Sequence, residues 1–230
     1  STESGVARPI RRAGAWRCLR DVLRIHRTLR CSHKMPDERG GGDAVHVQIA
    51  SLSLDETEAI GRACAKAGAG LNDVLLAAMA TAIAEATPDR RVSRRRRKIA
   101  LATILSTRRR DEIDVSFDTQ IADAIVPVDR PDAPFDDVLR QIVTGLHEWK
   151  EDRSRAEDVA AMRFWLVRRV WPLFGLPHDR RSYRKVFPIC GGVSTTVVSG
   201  HDEFFRRRIE QYVRVVPCGP AAPLALAATM

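Results

Sequence analysis

One apolar stretch of the chain predicts a buried helix. Asn72 and Asp73 have short side chains that accept hydrogen bonds from free backbone N–H groups at a helix start. Behind them, from Val74 to Ala84, Thr81 is the only polar residue. A helix that is apolar on nearly all sides is typical of a domain interior, and this run is too short to span a bilayer. We therefore expect a central buried helix, with Asn72 and Asp73 as its cap rather than as a site.

Helical and strand patterns alternate around this stretch. Ser53 and Glu56 fit a capping box that opens a helix, and apolar positions at helical spacing between Phe135 and Trp149 predict another. Alternating or β-branched runs predict strands at 45–49, 99–105, 121–128, 186–199, 209–216 and 224–230. This order predicts an α/β fold, with a mixed β-sheet and helices packed on one face.

Two segments are predicted to differ in role. Residues 1–44 are expected to be a linker or approach segment, containing one short amphipathic helix around Trp16 to Ile25 and a Pro- and Gly-rich stretch after it. Residues 45–230 are expected to form the folded subdomain. Because Leu224 to Met230 reads as a strand that is just beginning, we expect this subdomain to be truncated at its C-terminal end.

Residues 157–175 combine a wide apolar pattern with arginines. Phe164, Trp165, Trp171 and Leu173 are interrupted by Arg168 and its neighbours. We expect these side chains to be buried against the sheet. The alternative is contact with a membrane surface, where tryptophan and arginine are favoured.

Composition and charge limit the class of protein. With 44% hydrophobic and 29% charged residues, the 230-residue chain has an ordinary globular composition. Its five cysteines are widely spaced and contain no C-x-x-C pair, which favours a reduced, cytoplasmic protein. The net charge of +9 suits an anionic partner. The arginines are scattered and tyrosines number only two, which argues against a nucleic-acid stacking platform.

No self-contained catalytic or metal motif is present in the sequence. The six histidines never pair at metal-ligand spacing, and neither a phosphate-binding loop nor a nucleophile elbow occurs. The sequence therefore predicts no bound metal and no resident cofactor.

Four short motifs follow one another along the chain. They are Leu71 to Ala78 (LNDVLLAA), Leu105 to Arg108 (LSTR), Gly192 to Thr196 (GVSTT) and Val216 to Leu224 (VPCGPAAPL). In this order they resemble the C-terminal half of the chloramphenicol-acetyltransferase-like superfamily. Within it, the pattern is most similar to the wax ester synthase/diacylglycerol acyltransferase type and the condensation-domain type.

The resemblance implies an acyl transfer. An acyl thioester on coenzyme A or on the pantetheine arm of an acidic carrier protein would meet an alcohol or amine between two similar halves. A histidine of an H-H-x-x-x-D motif in the N-terminal half would be the general base. The resemblance also implies that Ser194, Thr195 and Thr196 line the substrate tunnel, and that Arg108 pairs with the motif's aspartate and supports the active site.

The sequence departs from this family in a way that bears on activity. It contains no His-His pair, so no catalytic residue is assigned, and the chain alone should not catalyse acyl transfer. An N-terminal half of the same fold is the implied partner. Two alternatives remain open: a catalytically inactive interaction module of the same fold and, with less support, a basic nucleic-acid-binding protein. A cytoplasmic location, with or without membrane association, is expected.

Overall fold

The computed structural model describes residues 12–35, 46–106, 121–175, 180–196, 214–216 and 222–229. Short 3-10 turns at Pro88–Val92 and Trp171–Phe174 supplement the regular elements. In chain order these elements are α1 (Arg12–Arg30), α2 (Leu54–Ala67), α3 (Leu71–Ala86), β1 (Ile99–Ser106), β2 (Ile121–Val128), α4 (Phe135–Glu151), α5 (Arg153–Arg169), α6 (Arg180–Val186), β3 (Gly191–Thr196) and β4 (Leu224–Thr229).

The described strands form one mixed sheet in the order β2-β1-β3-β4. β1 and β2 are antiparallel, with Ile99 opposite Val128. β3 is parallel to β1 and β4 is parallel to β3. The predicted α/β class, with a mixed β-sheet covered by helices, is confirmed.

Helices α3 and α4 cover one face of this sheet. On β1, the Thr103 hydroxyl lies within hydrogen-bond distance of Asn72 on α3. On β2, Val126 lies so close to α4 that a Cβ at Gly145 would be 3.1 Å from its Cγ1. The predicted one-sided packing describes these two helices. Helix α5 packs on the other face. Its Arg163 pairs with Asp123 of β2, and Asp123 lies three residues before Val126, so the two side chains point to opposite faces of the sheet.

The predicted central helix is confirmed as α3. Five apolar side chains of this helix are buried, and Ala78 and Ala82 are exposed. The helix therefore packs on most of its surface, and apart from Glu85 its exposed residues are alanines. The buried five are Leu76, Ala77, Ala80, Ile83 and Ala84.

The N-terminal segment contributes to the same core. Helix α1 is longer than the amphipathic helix predicted around Trp16 to Ile25, and its Cys18, Val22, Ile25 and Leu29 belong to the hydrophobic core. Asp21 on α1 also accepts hydrogen bonds from Arg155 on α5 at 2.8 and 2.9 Å. A domain boundary near Val45 stays a prediction, but the residues before it include this packed helix.

Two predicted strands differ from the structure. Residues 46–50 are exposed and irregular, because alternation forms a strand only where a partner supplies hydrogen bonds. Of the predicted strand 209–216, residues 214–216 are irregular and the others lie outside the described ranges. The final apolar run does form a strand, β4.

The expected burial of the 157–175 surface is wrong for three of its large apolar side chains. Phe164, Trp165 and Leu173 are 74%, 54% and 81% exposed. Trp171 is buried instead, with its ring 5.9 Å from that of Phe187. No single helix in the described ranges is long and apolar enough to cross a membrane. Helices α2 and α3 together reach the necessary length and hydropathy, but they are bent by 95° relative to each other.

Candidate functional site

The alternation of β3 separates the three residues predicted to line a tunnel. A Cβ at Gly191 would lie 2.7 Å from the Met79 sulfur of α3, so Gly191 faces that helix. With the two-residue period of a strand, Thr195 lies on the α3 side. Ser194 and Thr196 lie on the opposite side of the sheet. The structure therefore brings together two of the three predicted residues.

An arginine that sequence reasoning missed joins Ser194 and Thr196. The Arg214 guanidinium donates to the Ser194 hydroxyl at 2.7 Å and also to the Thr196 hydroxyl. The only sequence signal is an arginine within an otherwise apolar run, Val213 to Val216. Arg214 and the two hydroxyls are called the Arg214 cluster below.

Arg214 is the only charged member of the Arg214 cluster, because the other two members are hydroxyl groups. Among the described residues, Arg214 takes part in no ion pair, and its recorded hydrogen bonds are those to the two hydroxyls. A guanidinium has five N–H donors and is not deprotonated in proteins, so Arg214 carries a positive charge beside the two hydroxyls. Paired hydrogen bonds from such a fork suit a phosphate or carboxylate.

Small side chains line the sheet surface around this cluster. Gly192 pairs with Ala102 on β1 and with Ala225 on β4, and Ser194 pairs with Ala227. A Cβ at Gly192 would come within 3.3 Å of the Ala102 carbonyl oxygen. The sheet around the cluster therefore consists of small residues, and Ser194 itself is buried.

A buried polar chain on the other face holds β3 in position. The Asn72 amide donates to the Thr103 hydroxyl at 3.0 Å, and that hydroxyl donates to the Val193 carbonyl oxygen at 3.0 Å. This chain links α3, β1 and β3 at the residue before Ser194. Because a buried polar atom without a partner is costly, the chain fixes the register on which the Arg214 cluster depends.

The helix-cap prediction is correct for Asp73 and wrong for Asn72. Gly70 is the N-cap of α3, and its N–H donates to the Asp73 carboxylate at 3.0 Å. Asn72 bonds to the Thr103 side chain instead of to the helix N-terminus. The Asn72 side chain therefore connects α3 to the sheet.

Arg108, predicted to support the active site, lies outside the described residues, and its role stays a prediction. The hydrogen bonds of the Arg214 cluster join Arg214 to Ser194 and Thr196, and none of them involves a histidine. Within the described ranges, no group of His, Cys, Asp and Glu side chains could hold a metal ion. The cluster can therefore bind and orient, but it contains no general base.

Burial rather than catalysis accounts for the perturbed histidine and cysteine. His33 is 7% exposed, its Nε2 has no hydrogen-bond partner among the described groups, and burial lowers its pKa. Burial raises the pKa of Cys190 to about 11, and its thiol lies 3.5 Å from the His33 carbonyl oxygen. The Cys190 thiol is therefore protonated near neutral pH and is not suited to nucleophilic catalysis.

Several members of the basic block 94–98 have structural contacts. Arg96 donates to the Ser32 carbonyl at 2.9 Å, Arg97 donates to the Ser93 carbonyl at 2.6 Å, and Lys98 pairs with Asp129 at 2.8 Å. Of this block, only Arg94 and Arg95 are exposed and form no hydrogen bond or ion pair with the described residues. The block therefore stabilises the chain around β1 and offers few free charges.

Comparison with known proteins gives one structural similarity. No family model and no curated protein matches the chain. Among solved structures, the first condensation domain of the CDA synthetase is similar at 16% sequence identity and a TM-score of 0.43. The similarity covers 80% of this chain and 36% of that one, so this chain spans about a third of its length.

Proposed function

We propose that the chain is the donor-binding half of an acyltransferase that moves an acyl group from a coenzyme A or carrier-protein thioester to an alcohol or amine. One observation carries the proposal. Ser194 and Thr196, for which the family resemblance implies a position in a substrate tunnel, share the guanidinium of Arg214. They do so on the sheet face opposite α3, beside a strip of small residues.

The chemistry of this surface fits a pantetheine arm. The arm is slender, its amides accept and donate hydrogen bonds, and it ends in a phosphate. Gly192, Ala225 and Ala227 are small residues beside the cluster, and we expect the chain of the arm to lie along them. The Ser194 and Thr196 hydroxyls can bond its amides, and the remaining Arg214 donors can pair with the phosphate. A thioester held in this way has lost much of the entropy that opposes reaction.

The same donors suit a charge that develops during reaction. Attack on a thioester carbonyl places negative charge on its oxygen, and positioned N–H and O–H donors stabilise that charge. A proton must leave the attacking alcohol or amine. Because the sequence has no His-His pair, the base is supplied by an N-terminal half of the same fold. The chain therefore binds donor and does not turn it over alone.

Binding of coenzyme A to the 230-residue chain, measured by isothermal titration calorimetry, tests the donor site. We expect Ser194→Ala with Thr196→Val to weaken binding by about tenfold, which corresponds to loss of two modest hydrogen bonds. Arg214→Gln should weaken coenzyme A binding more than binding of pantetheine without phosphate. Thr195→Val is the matched control, since it alters the same strand on the α3 side.

The outcomes of this titration separate the alternatives. Weakening by the Ser194, Thr196 and Arg214 variants, with Thr195→Val unchanged, supports the donor site. Equal weakening by Thr195→Val would show that only the strand's integrity matters. No binding of coenzyme A or phosphopantetheine by the unaltered chain would overturn the proposal.

Activity is tested by adding the missing half. A longer chain, or a separate chain, that carries the H-H-x-x-x-D motif should release free thiol from acyl-coenzyme A in the presence of an acceptor alcohol. The present chain alone should release none. In the longer protein, Arg108→Ala tests the predicted pairing with the motif aspartate.

The absence of a His-His pair from the sequence favours one second candidate, an inactive interaction module of the same fold. If the adjoining sequence also lacks the motif, and if no thiol is released, this second function replaces the first.

A further inference from the structure

The C-terminal part of α5 presents large apolar side chains to solvent. Phe164 and Trp165 are 74% and 54% exposed, and Leu173 in the following 3-10 turn is 81% exposed. Arg168 and Arg169 are exposed on the same part of the chain. The spacing of Phe164, Trp165, Arg168 and Arg169 places these four residues on one side of α5. Together with Leu173 of the following turn they are called the α5 surface below.

The inner side of the same helix is already used for packing. Arg163 pairs with Asp123 and lies 5.7 Å from the Phe187 ring centre, and Val159 is 2% exposed. Trp171, in the 3-10 turn after α5, is buried, and its ring lies 5.0 Å from that of Tyr183 on α6. The α5 surface is therefore not a core face left open by chance, because α5 has a separate face that satisfies the fold.

The charge of the α5 surface has one sign. From Val159 to His178 the sequence contains no Asp or Glu. Among the described residues, neither Arg168 nor Arg169 takes part in an ion pair. Two exposed guanidinium groups beside exposed aromatic rings suit an anionic partner that also accepts apolar side chains.

A membrane interface meets both requirements. Tryptophan and phenylalanine insert at the level of the lipid headgroups, while arginines reach the phosphates. A second copy of the chain fits less well, since a two-fold contact would place the arginines of each copy against those of the other. We propose that the α5 surface docks the protein onto membranes that contain anionic phospholipid. This proposal is independent of the acyltransferase assignment.

Co-sedimentation of the 230-residue chain with phosphatidylcholine vesicles, with and without phosphatidylserine, tests the docking. We expect binding only to the vesicles with phosphatidylserine. Arg168→Glu with Arg169→Glu should weaken it by at least about 30-fold. Phe164→Ser with Trp165→Ser should weaken it by at least about tenfold. Arg168→Gln with Arg169→Gln, a milder change, should give an intermediate loss.

Matched controls distinguish vesicle binding through the α5 surface from nonspecific electrostatic or hydrophobic binding. Arg94→Glu with Arg95→Glu alters another exposed arginine pair and lowers the net charge by the same amount. Leu54→Ser removes a leucine on α2 that is 74% exposed. Both should leave vesicle binding unchanged, and circular dichroism should show that every variant folds.

Three results would overturn the proposal. The unaltered chain could fail to bind either kind of vesicle at low ionic strength. The control pair Arg94 and Arg95 could reduce binding as much as Arg168 and Arg169 do. Analytical ultracentrifugation could instead show self-association that Phe164→Ser with Trp165→Ser abolishes, which would assign the α5 surface to a protein contact.

Discussion

Both carboxylate oxygens of Asp73 lie 2.7 Å from the ammonium nitrogen of Lys150. This pair joins the start of α3 to the end of α4. Asp73 is only 2% exposed, whereas the Lys150 side chain is 43% exposed. The Gly70 N–H supplies a further hydrogen bond to the carboxylate at 3.0 Å. A buried carboxylate is tolerated only with such partners, so this contact is expected to contribute to stability.

Asp73→Ala should lower the free energy of unfolding by roughly 2–4 kcal/mol, because it removes both the ion pair and the helix cap. Asp73→Asn should cost less, since its amide oxygen still accepts from Gly70. Urea unfolding followed by circular dichroism measures both changes. Glu85→Ala, at an exposed position of the same helix, is the control. Equal stability of the two Asp73 variants would show that the cap contributes little.

Thr103→Val should destabilise the chain by about 1–3 kcal/mol, because the Asn72 amide and the Val193 carbonyl each lose a buried partner. The substitution keeps the size of the side chain, so packing changes little. Thr144→Val, at an exposed site on α4, is the control. A double-mutant cycle with Asn72→Ala measures the coupling between the two side chains. An additive result would contradict the proposed chain of hydrogen bonds.

Stability should fall as the pH is lowered through the histidine range. Burial is the main cause that lowers the pKa of His33, and burial likewise lowers the pKa of His26. The unfolded chain therefore binds protons more readily than the folded one. Their contribution to stability is complete above the unfolded histidine pKa of about 6.5 and is lost as the pH falls towards the lower folded values.

His33→Gln should reduce this pH dependence. The measurement is the free energy of unfolding at about pH 7.5 and about pH 5.5, where the folded and unfolded states bind different numbers of protons. The unaltered chain should lose more stability between these conditions than the variant does. His46→Gln, which alters an exposed position, is the control. The same slope in all three proteins would contradict the prediction.

Cys190 should resist alkylation until the protein unfolds. It is fully buried, and burial raises its pKa to about 11, so only about 0.1% would be thiolate at pH ~8. Iodoacetamide in native buffer should therefore label the partly exposed Cys31 and spare Cys190, as read by peptide mass spectrometry. Urea should make both reactive. Rapid native labelling of Cys190 would show that β3 opens readily.

Local patterns account for the parts of the fold that sequence reasoning predicted correctly. The Ser53 and Glu56 capping box is present, with the Ser53 N–H donating to the Glu56 carboxylate at 2.8 Å. The apolar face of α4 is buried at Leu139, Ile142 and Leu146. Both features depend on residues a few positions apart, which is the range at which helix periodicity and capping act.

Long-range packing explains the predictions that failed. The alternation that predicts a strand at 45–49 forms none in its described residues 46–49, because the pattern does not show whether a partner strand is adjacent. In 157–175, apolar residues occur on more than one side of α5, and the pattern did not show which side meets the sheet. The pairing of Arg163 with Asp123, 40 residues apart, fixes that choice and leaves Phe164 and Trp165 exposed.

The sequence by itself determined the central helix, the strands beside it, the absence of a His-His base and the serine and threonine positions of β3. Those follow from residue type and short spacing. Only the tertiary structure decided that Ser194 and Thr196 share one face while Thr195 lies on the other, and that Arg214 reaches them across a separation of 18 to 20 residues. The physical reason is that strand register and sheet order, set by contacts distant in sequence, decide which side chains meet.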